Sequence, residues 1–272
     1  MQLLHFIIKL SVIYFVGFPS IAAATDLDFS LIPHRAIYSM SLIKIPDNRG
    51  LSDVRGVMTY EFKDQCDAWT IESTVYLYLQ YANQPAIVNI RSMVTWESKD
   101  GLEFNFRSKD VSNGKLTEEI NGSAVMYRNG LGGLVKYTDP SVRKVLLPPG
   151  TLFPTAHIQT LIKHASGGGK HLTKNIFDGA TLDNPYEVSG VIVAILDQKN
   201  VAPALPKALA KIHSFKIRMA YFPVKSKNPI PDIELDIAMQ ADGIVSQAVQ
   251  EFGDYSIKAK LNQIDLIEKA RC

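Results

Sequence analysis

The most regular hydrophobic patterns in the chain have period two, the spacing at which successive strand residues face opposite sides of a sheet. After Cys66, the residues Trp69, Ile71, Val75, Leu77 and Leu79 alternate with Thr70, Glu72, Thr74, Tyr76 and Tyr78. Val88, Ile90, Val94 and Trp96 stand against Asn89, Arg91 and Thr95. Later runs set Phe215, Ile217, Met219 and Tyr221 against Lys216 and Arg218, and Ile233, Leu235, Ile237 and Met239 against Asp232, Glu234 and Asp236. Near the end, Tyr255, Ile257, Ala259 and Leu261 alternate with Ser256, Lys258 and Lys260. In each run the apolar set is expected to pack inward and the polar set to meet water.

Turn signals separate the runs: Asp100-Gly101, Asn113-Gly114, Asn121-Gly122, Asn129-Gly130 and Asp242-Gly243. Such pairs supply the two positive-φ positions of a type I′ hairpin. The pattern predicts about fourteen strands joined by short turns, hence a mainly β, antiparallel meander. Taken as one strand, Cys66 to Leu79 would run ~45 Å, and strands that long twist and curl. An open spiral or barrel-like sheet is therefore expected rather than a flat sandwich.

One helix interrupts the strands. Pro154 suits a first helical position, Gly167 a stop, and Ile158, Leu161, Ile162 and Ala165 share one helical face, which predicts a central helix over 154–165. Leu27 to Ile32 is a candidate short helix before Pro33, and Asn200 to Lys207, with two prolines, reads as a loop. No repeat, low-complexity tract or linker divides the chain, so residues 25–272 are expected to form a single domain.

The N-terminus changes the picture of where that domain folds. Lys9 precedes a charge-free run from Leu10 to Ala24 that closes on Ala22-Ala23-Ala24. A charged start, a short apolar centre and small closing residues mark a secretory signal peptide, with cleavage between Ala24 and Thr25. The run is too short and too interrupted, by Gly17 and Pro19, for a spanning helix of ~20 residues. The mature chain is expected in the periplasm with no membrane span. After removal of Lys9, basic and acidic residues nearly balance, so composition gives no sign of a nucleic-acid partner.

Export also decides how the two cysteines are read. In an oxidising compartment Cys66 and Cys272 allow one pairing, and free thiols there are a liability. Closing a loop of about two hundred residues is worth at most ~5 kcal/mol by chain entropy. Such a bridge would hold the C-terminal strand Tyr255–Leu261 beside the long strand that begins at Cys66.

Candidate chemistry is sparse. His157, His164 and His171 recur every seven residues, which on a helix separates neighbours by ~10.5 Å along the axis, too far to share a metal ion bound at ~2 Å. They read as interfacial histidines flanking the apolar face. Gly167 to Lys170 resembles a phosphate loop, yet His164 stands where its first glycine belongs and His171 replaces the Ser or Thr after the lysine. The chain has no nucleophile elbow, zinc helix or S-x-x-K pattern. Arg91 and Lys216 read as parts of solvated strand faces. Neither a catalytic residue nor a cofactor is expected.

The segments LIPHRAIYSMSL at 31–42, YEFKDQCDAW at 60–69, PPGTLFPTAH at 148–157, IFDGA at 176–180 and the terminal cysteine together resemble the EipB-like family of periplasmic cell-envelope integrity proteins. The resemblance implies an open β-spiral wound around a helical insertion, with a disulfide falling on Cys66 and Cys272. It implies a non-enzymatic role in envelope maintenance and stress resistance through other periplasmic proteins, a helical-repeat protein among the candidates. It transfers no catalytic residues. A second reading stays open: a carrier that holds a lipid or lipoprotein acyl chain inside a half-open, apolar barrel. A filled interior favours the first and a large apolar cavity the second.

Overall fold

The computed structural model describes residues 30–44, 50–196, 205, 206, 209, 212–226, 228–252 and 255–272. Among them the chain forms β1 (His34–Lys44), β2 (Leu51–Gln65), β3 (Ala68–Tyr81), β4 (Ile87–Ser98), β5 (Glu103–Ser112), β6 (Lys115–Met126), β7 (Gly133–Asp139) and β8 (Arg143–Leu147). The helix α1 (Pro154–Ser166) follows. Then come β9 (His171–Ile176), β10 (Tyr186–Leu196), β11 (Ser214–Pro223), β12 (Ile233–Gln240), β13 (Val245–Glu251) and β14 (Ser256–Leu266).

All fourteen strands belong to one antiparallel sheet, in the order β8 to β1 and then β14 to β9. Two meanders thus meet where the first strand pairs with the last, from His34 opposite Leu266 to Lys44 opposite Ser256. The sheet's two ends are β8 and β9, and the chain between them passes through the interior. That passage nearly closes the barrel: the Leu152 N–H donates to Asn175 O at 2.8 Å, and the Phe177 N–H donates to Leu152 O at 3.0 Å. That contact covers part of β9, while β8 stays paired on one side only.

The pairing β2–β3 holds the long strand foreseen after Cys66, running from Gln65 opposite Ala68 to Leu51 opposite Tyr81. In β3, β11, β12 and β14 the apolar set faces inward as expected. In β4 the faces are reversed. Thr95 and Glu97 are buried while Val94 is 48 % exposed, because the inner face of β4 meets a polar helix end rather than apolar side chains.

Asn113-Gly114 makes the expected turn with φ of 47° and 78°, both left-handed. Asn121-Gly122 does not turn at all; it lies within β6, at a register irregularity opposite β7. The glycine there answers a packing demand instead. A Cβ on Gly122 would sit 2.7 Å from Phe106 Cζ and 2.5 Å from the Lys136 carbonyl oxygen. The short helix expected over Leu27–Ile32 is also absent from its described part. Ser30 to Ile32 is irregular, and the Ile32 N–H is taken by Asp242 O at 3.1 Å, a partner across the fold rather than along a helix. Leu27 to Phe29, the cleavage pair Ala24–Thr25 and most of Asn200–Lys207 lie outside the described residues.

Apolar burial fills the curl. Leu161, Ile162 and Ala165 of α1 pack among Phe62 and Trp69 on one side and Ile176, Val188, Phe215, Ile217 and Met219 on the other. A second cluster joins Phe104, Phe106, Tyr137, Phe153 and Phe177, with the Phe104 and Phe153 rings stacked 5.0 Å apart.

Candidate functional site

The interior is built around the start of α1. Its N-cap, Phe153, has no side chain able to accept a hydrogen bond, so the first backbone N–H groups need a partner from elsewhere. Glu97 supplies it from β4: its carboxylate accepts from Thr155 N–H at 2.7 Å and Ala156 N–H at 2.8 Å. A carboxylate at a helix N-terminus is favourable in both hydrogen bonding and charge. Burial raises the Glu97 pKa above its ordinary value, opposed by the two N–H donors. Beside it, a cavity of about 10 Å³ lies between Leu31, His34, Tyr60, Thr155 and Asp242. That is room for one water molecule. Burial lowers the His34 pKa and raises those of Tyr60 and Asp242. The interior is therefore packed, and in each of these groups burial favours the uncharged form.

Cys66 and Cys272 are joined as a disulfide with Cα atoms 5.8 Å apart, closing a sequence separation of 206. The geometry around it corrects one expectation. Cys66 occupies the two-residue turn between β2 and β3, and β14 lies beside β1, with β1 and β2 between it and β3. The bridge therefore does not hold β14, which its own ladders hold; it ties down the tail after it. That tail runs past the N-terminal segment, with Ile267 N–H donating to Pro33 O at 3.0 Å and Lys269 Nζ donating to Ser30 Oγ at 2.6 Å. The turn itself is braced. Asp64 Oδ1 accepts from Cys66 N–H at 3.1 Å and from Lys99 Nζ at 2.6 Å, and Lys99 also lies 4.4 Å over the Trp69 ring.

Where α1 stops filling the curl, the inner faces of β3 to β6 form an open groove of about 370 Å³. Val75 and Leu77 give it an apolar floor; Asn89, Ser112 and Thr117 make it polar. Arg91, expected on a solvated face, lies in its wall and is bidentate to Asp110 at 2.7 and 2.8 Å. Lys216 remains on the exposed face of β11. On the outer surface of the same strands, Val57, Tyr76, Ile90, Val111 and Leu116 are successive cross-strand partners, an apolar row of which Val57, Tyr76 and Leu116 are 44–50 % exposed.

The three histidines go to different surroundings. His157 is buried on α1, and that burial lowers its pKa to about 4. His164 packs its ring over Gly169, where a Cβ would lie 2.2 Å from Nε2. His171 is exposed at the start of β9. Among the described residues no three His, Cys, Asp or Glu side chains gather as metal ligands would. Among the same residues no helix is long and apolar enough to cross a membrane.

Sequence reasoning missed Glu97, His34 and Asp242. The signal for Glu97 was present, since it continues the polar set Asn89, Arg91 and Thr95. Reading that set as solvated concealed a carboxylate aimed at the helix. His34 sits on the inward phase of β1 with Ala36 and Tyr38, a pattern visible only once that strand's inner face is known.

The EipB-like family model matches residues 25–268 of this chain. The cell envelope integrity protein EipB of Brucella abortus (strain 2308) is 27 % identical over 266 residues, covering 96 % of this chain and 93 % of that protein. A crystal structure of a β-barrel-like protein of a domain of unknown function, also from Brucella abortus, aligns with TM-score 0.80 and 26 % identity. It covers 88 % of this chain and 99 % of that one.

Proposed function

Because the chain belongs to the EipB-like family, we propose that it supports cell-envelope integrity and stress resistance from the periplasm, without catalysis, by binding other envelope proteins. The observation that carries this reading is the match to EipB of Brucella abortus along 96 % of the chain, a protein named for envelope integrity rather than for a reaction. Partners in the periplasm, a helical-repeat protein among the candidates, fit the apolar side chains that the sheet leaves exposed, since contiguous exposed apolar surface marks interaction sites.

The packed interior weighs against an acyl-chain carrier. Beside α1 a cavity holds only about 10 Å³, and the larger groove sets a paired Arg91 and Asp110 and three neutral polar residues among Val75, Leu77, Ile90 and Val111. An acyl chain there would have to desolvate that ion pair with nothing to replace its water.

The test is a deletion strain challenged with detergent and cell-wall-active drugs, then complemented. The full-length chain is expected to restore resistance, and affinity capture from envelope extracts is expected to return proteins. A deletion strain as resistant as its parent would overturn the envelope role. Stoichiometric lipid in native mass spectra would overturn the protein-binding route in favour of a carrier.

A further inference from the structure

Strand β8 ends the sheet. It pairs with β7 alone, from Gly133 opposite Leu147 to Tyr137 opposite Arg143, and no other described backbone or side-chain group bonds the main chain of Lys144 to Leu147. The opposite end differs, because Leu152 covers part of β9. Of the three most exposed large apolar side chains among the described residues, Leu146 (75 %) lies on β8, Val142 (87 %) just before it, and Leu131 (74 %) in the β6–β7 connection near its far end. Val145 and Leu147 point into the core, which places Lys144 and Leu146 on the outer face, and Val142 is exposed just before the strand. Lys144 lies directly opposite Lys136 of β7, and neither lysine has a carboxylate partner among the described residues. Arg143, the other cation of the strand, turns inward over the Tyr137 ring and donates to Leu182 O at 3.0 Å.

An edge with open backbone groups is a template for one more strand, and proteins that do not use such an edge blunt it with charge, proline or a cover. Here the strand is five residues long and is followed by Pro148 and Pro149, and its outward face carries one lysine, with the exposed Leu146 two positions on and the exposed Val142 just before the strand. We propose that β8 docks an extended segment of another envelope protein as an added strand. That segment carries a carboxylate with an apolar residue two positions to either side. The backbone bonds supply the affinity and the alternating side chains the selectivity. This names the recognition mode of the protein-binding reading above and rests on it.

Charge selects the occupant. A second copy laid antiparallel about Lys144 would set lysine against lysine, and like charges directly opposite destabilise a pair. A carboxylate at that position instead answers both Lys144 and Lys136. The apolar row on β2–β6 offers no comparable direction, since every strand beneath it is already paired on both sides.

The probe is a dye-labelled peptide, acetyl-Ser-Ile-Thr-Glu-Thr-Val-Ser-amide, added to the purified mature chain and followed by fluorescence anisotropy and amide hydrogen exchange. Saturable binding is expected, with new protection at the β8 amides. Leu146→Lys should abolish it. Lys144→Glu should weaken it about threefold or more, and a peptide with Lys in place of Glu should then recover affinity for that variant. Both side chains point to solvent, so unchanged melting curves certify the fold of each variant. No saturable binding, binding indifferent to Leu146→Lys, or protection confined to the Arg91 groove would overturn the proposal. So would concentration-dependent dimers that Leu146→Lys dissociates, which would assign the edge to a second copy. The readout uses no envelope phenotype, so its failure and that of the envelope role are read separately.

Discussion

His157 offers the most quantitative test of the packed interior. Its side chain is 7 % exposed on α1, and burial holds its pKa at about 4, against an ordinary value of 6.5. Between those values the unfolded chain binds the proton and the folded chain refuses it. Stability from this residue is therefore complete above about pH 6.5 and is lost as the pH falls toward 4. The gap corresponds to roughly 3 kcal/mol, a large part of the ~5–15 kcal/mol usual for a domain. The perturbation is His157→Leu, which fills a similar volume with a group that never charges. The assay is urea unfolding at constant ionic strength, from about pH 7.5 to 4, on both proteins. Wild type should lose roughly 3 kcal/mol relative to the variant across that range. Burial also lowers the His34 pKa, which adds loss in the same direction. Glu97 and Asp242, raised by burial, take up protons in the folded state first, so their contribution grows as the pH falls. All three are present in both proteins and cancel in the difference. Stability curves that run parallel over the whole range would refute the reasoning.

Other expectations follow from the same geometry. Glu97→Ala leaves two buried N–H donors without partners and should cost about 2–4 kcal/mol in denaturant titrations, with Glu97→Gln between it and wild type. A Cys272→Ser chain should melt earlier by less than the ~5 kcal/mol entropic ceiling. Its lost exchange protection should be confined to residues 267–272 and the β2–β3 turn while β14 stays protected; fraying of β14 would contradict the ladders described. Gly122→Ala forces a methyl against Phe106 and the Lys136 carbonyl and should destabilise by about 1–3 kcal/mol, measured by thermal melting. Sequencing of the mature N-terminus should find Thr25 first, whereas a membrane-embedded chain still starting at Met1 would overturn export.

Much of the fold was legible because period-two alternation is local information. It marked β3, β11, β12 and β14 with their inner faces, and the helix over 154–165 ended within one residue of α1. The site was less legible. Cys66 and Cys272 could be paired because there were only two, yet what the bridge restrains depended on β14 lying beside β1. Glu97 was present in the pattern but read on the wrong face.

What the sequence by itself determined was that the chain is a mainly antiparallel β meander, where five of its strands and its one helix lie, and which cysteine meets which. Alternation, turn residues and counting decide these without knowledge of what lies opposite. Tertiary structure alone decided the reversed face of β4, because only the arrival of α1 inside the curl brings two unpaired N–H groups against Glu97. It decided that Asn121-Gly122 lies within β6 rather than at a turn, with the glycine required because Phe106 and the Lys136 carbonyl occupy the space a side chain would need. It also decided that β8 is left as an edge, since which strand ends a sheet depends on how the two meanders join at β1 and β14. Periodicity tells a side chain how often to face inward; only the atoms across the core tell it what it will meet there.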